Sequence, residues 1–163
     1  MTTREKQLRT IRDGQDTLYV SMTDQFRIKA SSADTDEAYT MLEVIVPPAG
    51  GPPGLHMHPQ QETFYILEGE FAIDTLRDGL PVSEVVHTGD VVIVPGMAPH
   101  NYRNIGSIPG RFVSVQVPGG FDRFLLELGV PMTDAASPAQ LPEPPDMQRV
   151  MEICARHNVS FVR

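Results

Sequence analysis

Short runs of apolar and β-branched residues follow one another along the first two thirds of the chain. Between Thr17 and Val117 these runs are bounded by Gly, Pro, Asp or Ser, which predicts β-strands separated by turns. The predicted strands are Thr17–Met22, Gln25–Ala30, Tyr39–Val46, Thr63–Leu67, Glu70–Leu76, Val82–Val86, Asp90–Val94, Pro99–Asn104 and Arg111–Val117. Many short strands with regular turns are typical of an all-β sandwich or barrel.

One turn is specified by its own residues. Arg77-Asp78-Gly79 joins two of the predicted strands. Asp and Gly tolerate the positive φ angles of a tight hairpin turn, so we predict a β-hairpin here.

Helical spacing replaces the strand pattern after Pro118-Gly119-Gly120. Apolar residues from Phe121 to Leu128 predict a short amphipathic helix. Residues 131–145 hold five prolines and few large apolar groups, which predicts an extended linker.

A second helix is predicted at the end of the chain, with Asp146 as its N-cap and about His157 as its last residue. We expect it to pack against the outside of the barrel rather than to cover the barrel mouth. Its predicted apolar stripe consists of Met147, Val150, Met151 and Cys154.

Composition supports a single folded unit. The chain has 163 residues, of which 40% are hydrophobic, with 13 Gly and 15 Pro. A chain of this length buries roughly 70% of its surface on folding. We expect one domain over residues 1–163, with a barrel core at about 17–117 and a helical extension over 121–163.

Charge and hydropathy narrow the classes of partner. The net charge of −8 has the wrong sign for binding nucleic-acid phosphates or anionic lipids. No stretch approaches the roughly 20 apolar residues of a membrane-spanning helix, and no apolar run follows the basic residues near the start. We expect a cytoplasmic protein with neither nucleic-acid nor membrane partners.

The single cysteine, Cys154, has no partner for an intramolecular disulfide. It lies in the predicted second helix with no activating base beside it in the sequence. A buried, unreactive thiol is therefore the expected state.

Histidine spacing carries the strongest chemical signal. His56 and His58 stand two residues apart, so an extended backbone directs both imidazoles to one face. Glu62 lies four residues beyond His58, where the chain enters the next predicted strand. This spacing brings a carboxylate beside the two imidazoles.

His100 is the best candidate for a further ligand, because it begins a strand directly after a turn rich in proline and glycine. Three imidazoles and one carboxylate suit a divalent transition metal such as Fe, Mn, Ni, Co, Cu or Zn. Without a thiolate, the set does not indicate a closed structural zinc site, and it leaves coordination positions open for substrate. His87 and His157 are interpreted as surface residues.

Two motifs in the segment Gly50 to Asn104 resemble those of the cupin superfamily. The first is Gly50, five residues, His56-x-His58, three residues, Glu62, six residues and Gly69. The second is Gly89, five residues, Pro95, then His100, three residues and Asn104. The cupin pattern places a further glycine at position 97, where this chain has Met97 and carries Gly96 instead.

The resemblance implies a double-stranded β-helix, or jelly roll, with one divalent metal held inside the barrel by His56, His58, Glu62 and His100. It also implies a homodimer formed by strand exchange or sheet extension, for which the N-terminal strands are the candidates. The C-terminal helices resemble, less specifically, those of single-domain proteins compared with bacterial quercetin dioxygenases.

Several roles stay open at this point. Glu62 is interpreted as a metal ligand in the resting state and as a catalytic general base on substrate binding, while a cupin that has lost its metal would keep the histidines as hydrogen-bonded barrel residues. Alternation places Phe64 and Ile66 on the Glu62 face, and Tyr102 on the His100 face. These three are the predicted substrate pocket, although Tyr102 is equally interpretable as a structural phenol. Asn104 is expected to tie a turn.

The strand Arg111–Val117 presents either its valines or the set Phe112, Ser114 and Gln116 to the interior. The valines fill a core more naturally, so we expect them inside. The same ambiguity affects Met41 and Glu43.

The metal set and the apolar pocket face favour an oxygenase, of the dioxygenase type, that acts on a small substrate such as an aromatic or dicarbonyl compound. The alternatives are a metal-dependent isomerase or lyase, in which the metal acts only as a Lewis acid, and a non-catalytic small-molecule-binding cupin.

Overall fold

Two antiparallel sheets face each other and enclose the core. The computed structural model describes residues 7–132 and 145–162. Its strands are β1 (Leu18–Ser21), β2 (Asp24–Ala30), β3 (Thr40–Val46), β4 (His56–Met57), β5 (Gln61–Glu68), β6 (Glu70–Arg77), β7 (Leu80–His87), β8 (Val91–Val94), β9 (His100–Asn104), β10 (Gly110–Val117), β11 (Val130–Pro131) and β12 (Ser160–Phe161). Its helices are α1 (Phe121–Leu128) and α2 (Met147–Arg156). Every predicted strand is present, and β4, β11 and β12 are short additions.

The larger sheet has the strand order β11-β1-β2-β3-β10-β5-β8, and the smaller has the order β12-β4-β9-β6-β7. Some neighbours in this order are consecutive in the chain, such as β1, β2 and β3, whereas others, such as β3 and β10, are distant in sequence. The predicted all-β jelly roll with two short C-terminal helices is confirmed. Of the predicted linker, residues 133–144 lie outside the described residues, and Pro131 belongs to β11, which pairs with β1.

Aromatic side chains from both sheets meet in the core. Phe112 of β10 lies edge-to-face against Phe64 of β5 and Phe71 of β6, with ring centroids 5.0 and 5.5 Å apart. Edge-to-face contacts of this kind add stability beyond the apolar area that they bury. The two sheets are thereby joined at the centre of the barrel.

The interior face of β10 differs from our expectation. Phe112, Ser114 and Gln116 are buried, whereas Val113 and Val115 are half-buried on the outer face and Val117 is exposed. The polar pair is tolerated inside because both side chains hydrogen-bond to the Glu62 carboxylate. The buried Glu62 carboxylate on β5 therefore determines which face of β10 points into the interior. In β3 the ambiguity resolves the same way, with Thr40, Leu42, Val44 and Val46 inward and Met41 and Glu43 outward.

The predicted hairpin forms between β6 and β7, where Arg77 pairs with Leu80. Asp78 and Gly79 adopt φ angles of 54° and 75°, as a two-residue turn of this hand requires. Asn104 ties a turn as expected, since its Nδ2 donates to the carbonyls of Val46 and Ile108 at 2.8 Å.

The turn before β9 shows how the chain accommodates methionine at position 97, where the cupin pattern has glycine. Met97 takes a φ of 63°, the left-handed conformation for which the cupin pattern supplies glycine. Its N–H donates to the carbonyl of His58 at 2.8 Å, which joins this turn to the histidine segment. Gly96 is required for a different reason, because a Cβ there would collide with the carbonyl of Pro59.

Helix α1 is anchored to the barrel by a buried carboxylate. Asp122 is 4% exposed and accepts hydrogen bonds from the Ser32 hydroxyl at 3.0 Å and the Thr40 hydroxyl at 2.9 Å. At the surface, Arg123 forms an ion pair with Glu37. These contacts hold the helix across one end of the barrel.

Helix α2 begins as predicted, because the Asp146 carboxylate accepts hydrogen bonds from the backbone N–H groups of Gln148 and Arg149. Its predicted apolar stripe is partly wrong. Val150, Ile153 and Cys154 are buried, while Met147 and Met151 are about half exposed, at 47% and 48%. The helix packs on α1 rather than flat on a sheet, so the contact stripe is rotated toward Ile153.

The expectation that α2 packs on the barrel exterior also needs correction. Val150 and Cys154 of α2 line a cavity that enters the barrel, together with Phe121 and Phe124 of α1. The helices thus wall the barrel mouth. The Cys154 thiol is buried as expected, and burial raises its pKa. Neither helix of the described ranges has the length and apolar run needed to cross a membrane.

The helix contact gives a direct test of stability. We expect Ile153→Ala to lower the free energy of unfolding by about 2–4 kcal/mol, because it leaves a cavity beside Val150 and Phe124. Met151→Ala, on the exposed side of the same helix, is the matched control and should change it by less than about 1 kcal/mol. Urea denaturation of both variants measures the difference. Equal losses would mean that the helix packs through the methionine stripe.

Candidate metal centre and cavity

Three imidazoles converge at one end of the barrel. His56 lies on β4, His58 directly follows it, and His100 begins β9, where it pairs with His56 across the two strands. The ring centroids of His56 and His58 lie 4.4 and 4.9 Å from that of His100. One ring nitrogen from each residue lies within 4.8 Å of the others, and all three side chains are buried. The cluster predicted from the spacing is therefore assembled.

Backbone carbonyls orient two of the rings. The Nδ1–H of His56 donates to the carbonyl of Gly54 at 3.1 Å, and that of His100 donates to the carbonyl of Ala98 at 2.8 Å. Burial and the neighbouring His100 lower the pKa of His56 to about 4. The His56 ring is therefore neutral near pH 7, and its Nε2 carries a lone pair that can bind a cation.

Glu62 joins the cluster through one carboxylate oxygen. Its Oε2 lies 3.2 Å from Nε2 of His58 and 3.3 Å from Nε2 of His100. Burial alone would raise the pKa of Glu62, but the contacts with His100 and His58 outweigh it and hold the pKa well below its ordinary value. For His100, burial acts to lower the pKa, and the Glu62 carboxylate outweighs burial and raises it.

The other oxygen of Glu62 is held by β10. Its Oε1 accepts hydrogen bonds from the hydroxyl of Ser114 and, at 2.7 Å, from Nε2 of Gln116. With Oε1 occupied, Oε2 is the oxygen that faces the imidazoles. The strand register produces this arrangement, because Gln116 of β10 lies directly opposite Glu62 of β5.

These donors fit a metal ion. Nε2 of His100 is buried and has no hydrogen-bond partner of good geometry among the described residues, which leaves a polar atom for another partner to satisfy. Ligands about 2.1 Å from a metal and at right angles to each other lie about 3.0 Å apart. The distances from Glu62 Oε2 to the two imidazole nitrogens, 3.2 and 3.3 Å, are close to that spacing.

A cavity of about 130 Å³ opens beside this cluster. His56, Glu62 and Ser114 line one end, and apolar side chains of β2, β3 and β10 form its walls. An engineered apolar cavity of about 150 Å³ is large enough to bind benzene, so the volume here suits a small molecule.

The predicted pocket residues occupy different places. Tyr102 lines the cavity, whereas Phe64 and Ile66 are buried in the core, outside its lining, at 2% and 1% exposure. They share the face of Glu62, but Phe112 and Tyr102 pack over Phe64 and separate it from the cavity. The Tyr102 hydroxyl donates to Oδ2 of Asp24 at 2.7 Å, a bond that joins the two sheets. His87, as expected, is exposed.

The sequence reasoning missed Asp24, Ser114 and Gln116. Asp24 sits beside a hairpin turn, outside any motif, and only the fold brings it to Tyr102. Ser114 and Gln116 did leave a signal, because two polar residues alternate with valines on one face of a predicted strand. Because the valines were expected to face the interior, Ser114 and Gln116 were assigned to the outer face.

Comparison with known proteins agrees with these features. A family model described as a cupin domain matches residues 42–116. Quercetin 2,3-dioxygenase of Bacillus subtilis is 36% identical over 110 residues, which cover 64% of this chain and 30% of that protein. The chain thus spans about a third of the length of this relative.

Solved structures resemble the fold. Oxalate decarboxylase of Lactobacillus farciminis superposes with a TM-score of 0.57 at 23% identity, over 64% of this chain and 32% of that chain. The polyketide cyclase RemF of Streptomyces resistomycificus superposes with a TM-score of 0.60 at 17% identity, over 88% of this chain and 99% of that chain. At these identities the similarity shows the fold alone. The match over residues 42–116, which contain both histidine motifs, shows a cupin domain in this part of the chain, distantly similar to quercetin dioxygenase.

Proposed function

We propose that this cupin is a metal-dependent oxygenase, of the dioxygenase type, that acts on a small, largely apolar substrate such as an aromatic or dicarbonyl compound. The observation that carries the proposal is a buried cluster of three imidazoles and one carboxylate at the end of an apolar cavity. The 36% identity to quercetin 2,3-dioxygenase of Bacillus subtilis supports the reaction class.

His56, His58, His100 and Glu62 would hold one divalent metal in this proposal. A bound metal of this kind supplies Lewis acidity toward substrate oxygens and, where it is redox-active, a site for dioxygen chemistry. Imidazole and carboxylate donors suit Fe, Mn, Ni, Co, Cu and Zn alike, and metal availability selects among them. The carbonyls of Gly54 and Ala98 would orient two of the ligands through their Nδ1–H groups.

Glu62 has a second role in the proposal. Ser114 and Gln116 hold its Oε1, so Oε2 is the atom placed to receive a proton from a substrate hydroxyl at the cavity end. The low pKa of Glu62, caused by the contacts with His100 and His58, keeps Oε2 unprotonated.

Metal content is the first test. We expect the purified protein to contain about one divalent metal ion per chain and the His56→Ala, His58→Ala double variant to contain little, because two of the proposed ligands are lost. Elemental analysis measures both. His87→Ala, which removes an exposed imidazole, is the control and should keep its metal. Equal metal content in the parent and the double variant would refute the site.

The polar pair on β10 gives a second test. We expect Gln116→Leu to weaken metal binding by about 10- to 100-fold, because one of the two donors that aim the Glu62 carboxylate is lost. Competition with a chromophoric chelator measures the affinity. Gln61→Leu makes the same change at an exposed position of β5 and should leave the affinity unchanged. A Gln116→Leu variant that binds metal as tightly as the parent would show that Glu62 needs no such support.

Oxygen consumption tests the reaction class. Protein loaded anaerobically with each candidate metal should consume dioxygen when mixed with at least one member of a panel of small phenols and dicarbonyl compounds, and His100→Ala should abolish this uptake. An oxygen electrode and product analysis measure turnover. Turnover without oxygen uptake would instead indicate a redox-neutral isomerase or lyase. Binding without turnover would indicate a non-catalytic cupin.

A further inference from the structure

Asp24 and Tyr102 form a hydrogen-bonded polar pair in the lining of the largely apolar cavity. Asp24 lies at the start of β2, is 8% exposed, and lines the cavity with Tyr102 of β9. The Tyr102 hydroxyl donates to Oδ2 of Asp24 at 2.7 Å. A buried carboxylate costs free energy unless its oxygens are satisfied, so a pair of this kind inside an apolar cavity needs a reason.

Neighbouring groups complete this pair. The hydroxyl of Thr23 donates to Oδ1 of Asp24 at 2.8 Å, and the N–H of Gly51 donates to the Thr23 hydroxyl at 3.2 Å. Gly51 has a φ of 135°, and a Cβ there would collide with the backbone carbonyl of Tyr102. The segment that leads into His56 is therefore packed directly against Tyr102. The carboxylate, the phenol and this segment form one connected unit.

The direction of these hydrogen bonds determines what the unit can recognise. The only hydrogen on the Tyr102 oxygen is donated to Asp24, and each Asp24 oxygen already accepts a hydroxyl. The lone pairs left on the Tyr102 oxygen and on the carboxylate can only accept. This end of the cavity is therefore built to meet a hydrogen-bond donor.

We propose that the Asp24–Tyr102 pair is the substrate-selecting end of the cavity and binds a hydroxyl or amine donor on a small apolar molecule. The opposite end of that molecule carries oxygen and faces His56 and Glu62. Between the two ends, Phe26, Leu42 and Phe112 contact the apolar middle. The orientation of the molecule rests on the function proposed above, whereas the requirement for a donor rests on the Asp24–Tyr102 geometry alone.

Para-substituted benzoates test this requirement, because their carboxylate supplies the oxygen-bearing end. 4-Hydroxybenzoate carries a donor, 4-fluorobenzoate is similar in size without one, and 4-formylbenzoate carries only an acceptor. Calorimetric titration of the metal-loaded protein should show 4-hydroxybenzoate binding about tenfold more tightly than either of the others, the effect of about one hydrogen bond.

Variants assign the preference to named atoms. In the Asp24→Ala, Tyr102→Phe double variant, which removes both acceptors, the hydroxy and fluoro compounds should bind equally. In Asp24→Ala the Tyr102 hydrogen is released, so 4-formylbenzoate should gain about tenfold while the preference for 4-hydroxybenzoate over it disappears. Tyr65→Phe, on the outer face of β5, is the control and should keep the parent's preference. Thermal melting of each variant identifies any that fails to fold, and the comparison of the hydroxy and fluoro compounds on the parent retains the test if these variants are lost.

Equal binding of the hydroxy and fluoro compounds to the parent would overturn this inference, as would a preference that survives in the double variant without both acceptors, or the absence of saturable binding of 4-hydroxybenzoate. Elemental analysis of the same samples separates the two proposals. A parent without metal contradicts the proposed function, and the ratio of hydroxy to fluoro binding still decides the role of Asp24 and Tyr102.

Discussion

The buried carboxylate of Glu62 is the constraint on which the rest of this barrel depends. It is surrounded by imidazoles on one side and by a hydroxyl and an amide on the other. A carboxylate in an apolar interior is stable only when such partners are present. Their positions in turn require β5 and β10 to pair in one register, with Gln116 opposite Glu62. A slip of one residue would turn Gln116 to the outer face and leave the charge without that amide.

Close backbone contacts hold the histidines in place. Gly51 lies against the carbonyl of Tyr102, and Gly96 lies against the carbonyl of Pro59. Residue 97 adopts a left-handed conformation so that its N–H reaches the carbonyl of His58. These turns let the chain approach itself closely enough to bring three imidazoles together. The site therefore explains why glycine and proline are frequent in this region.

The cavity lining combines two polar groups of residues with apolar walls. Asp24 and Tyr102 form one group, and His56 and Glu62 form the other. Helices α1 and α2 also line this cavity. The buried Asp122 carboxylate anchors α1 to the barrel. The C-terminal part of the chain thereby contributes to the cavity as well as to stability.

The sequence by itself determined the nine longer strands, the two helices, the hairpin at Asp78-Gly79 and the placing of His56 and His58 on one face with Glu62 beside them, while His100 was a candidate supported by the resemblance of its motif. Alternation and turn chemistry are local properties, and a few residues suffice to read them. Only the tertiary structure decided which face of β10 is interior, which face of α2 is buried, and that Asp24 reaches Tyr102. Each of these depends on a partner far away in the chain, and the energy of a buried polar group is set by that partner rather than by its sequence neighbours.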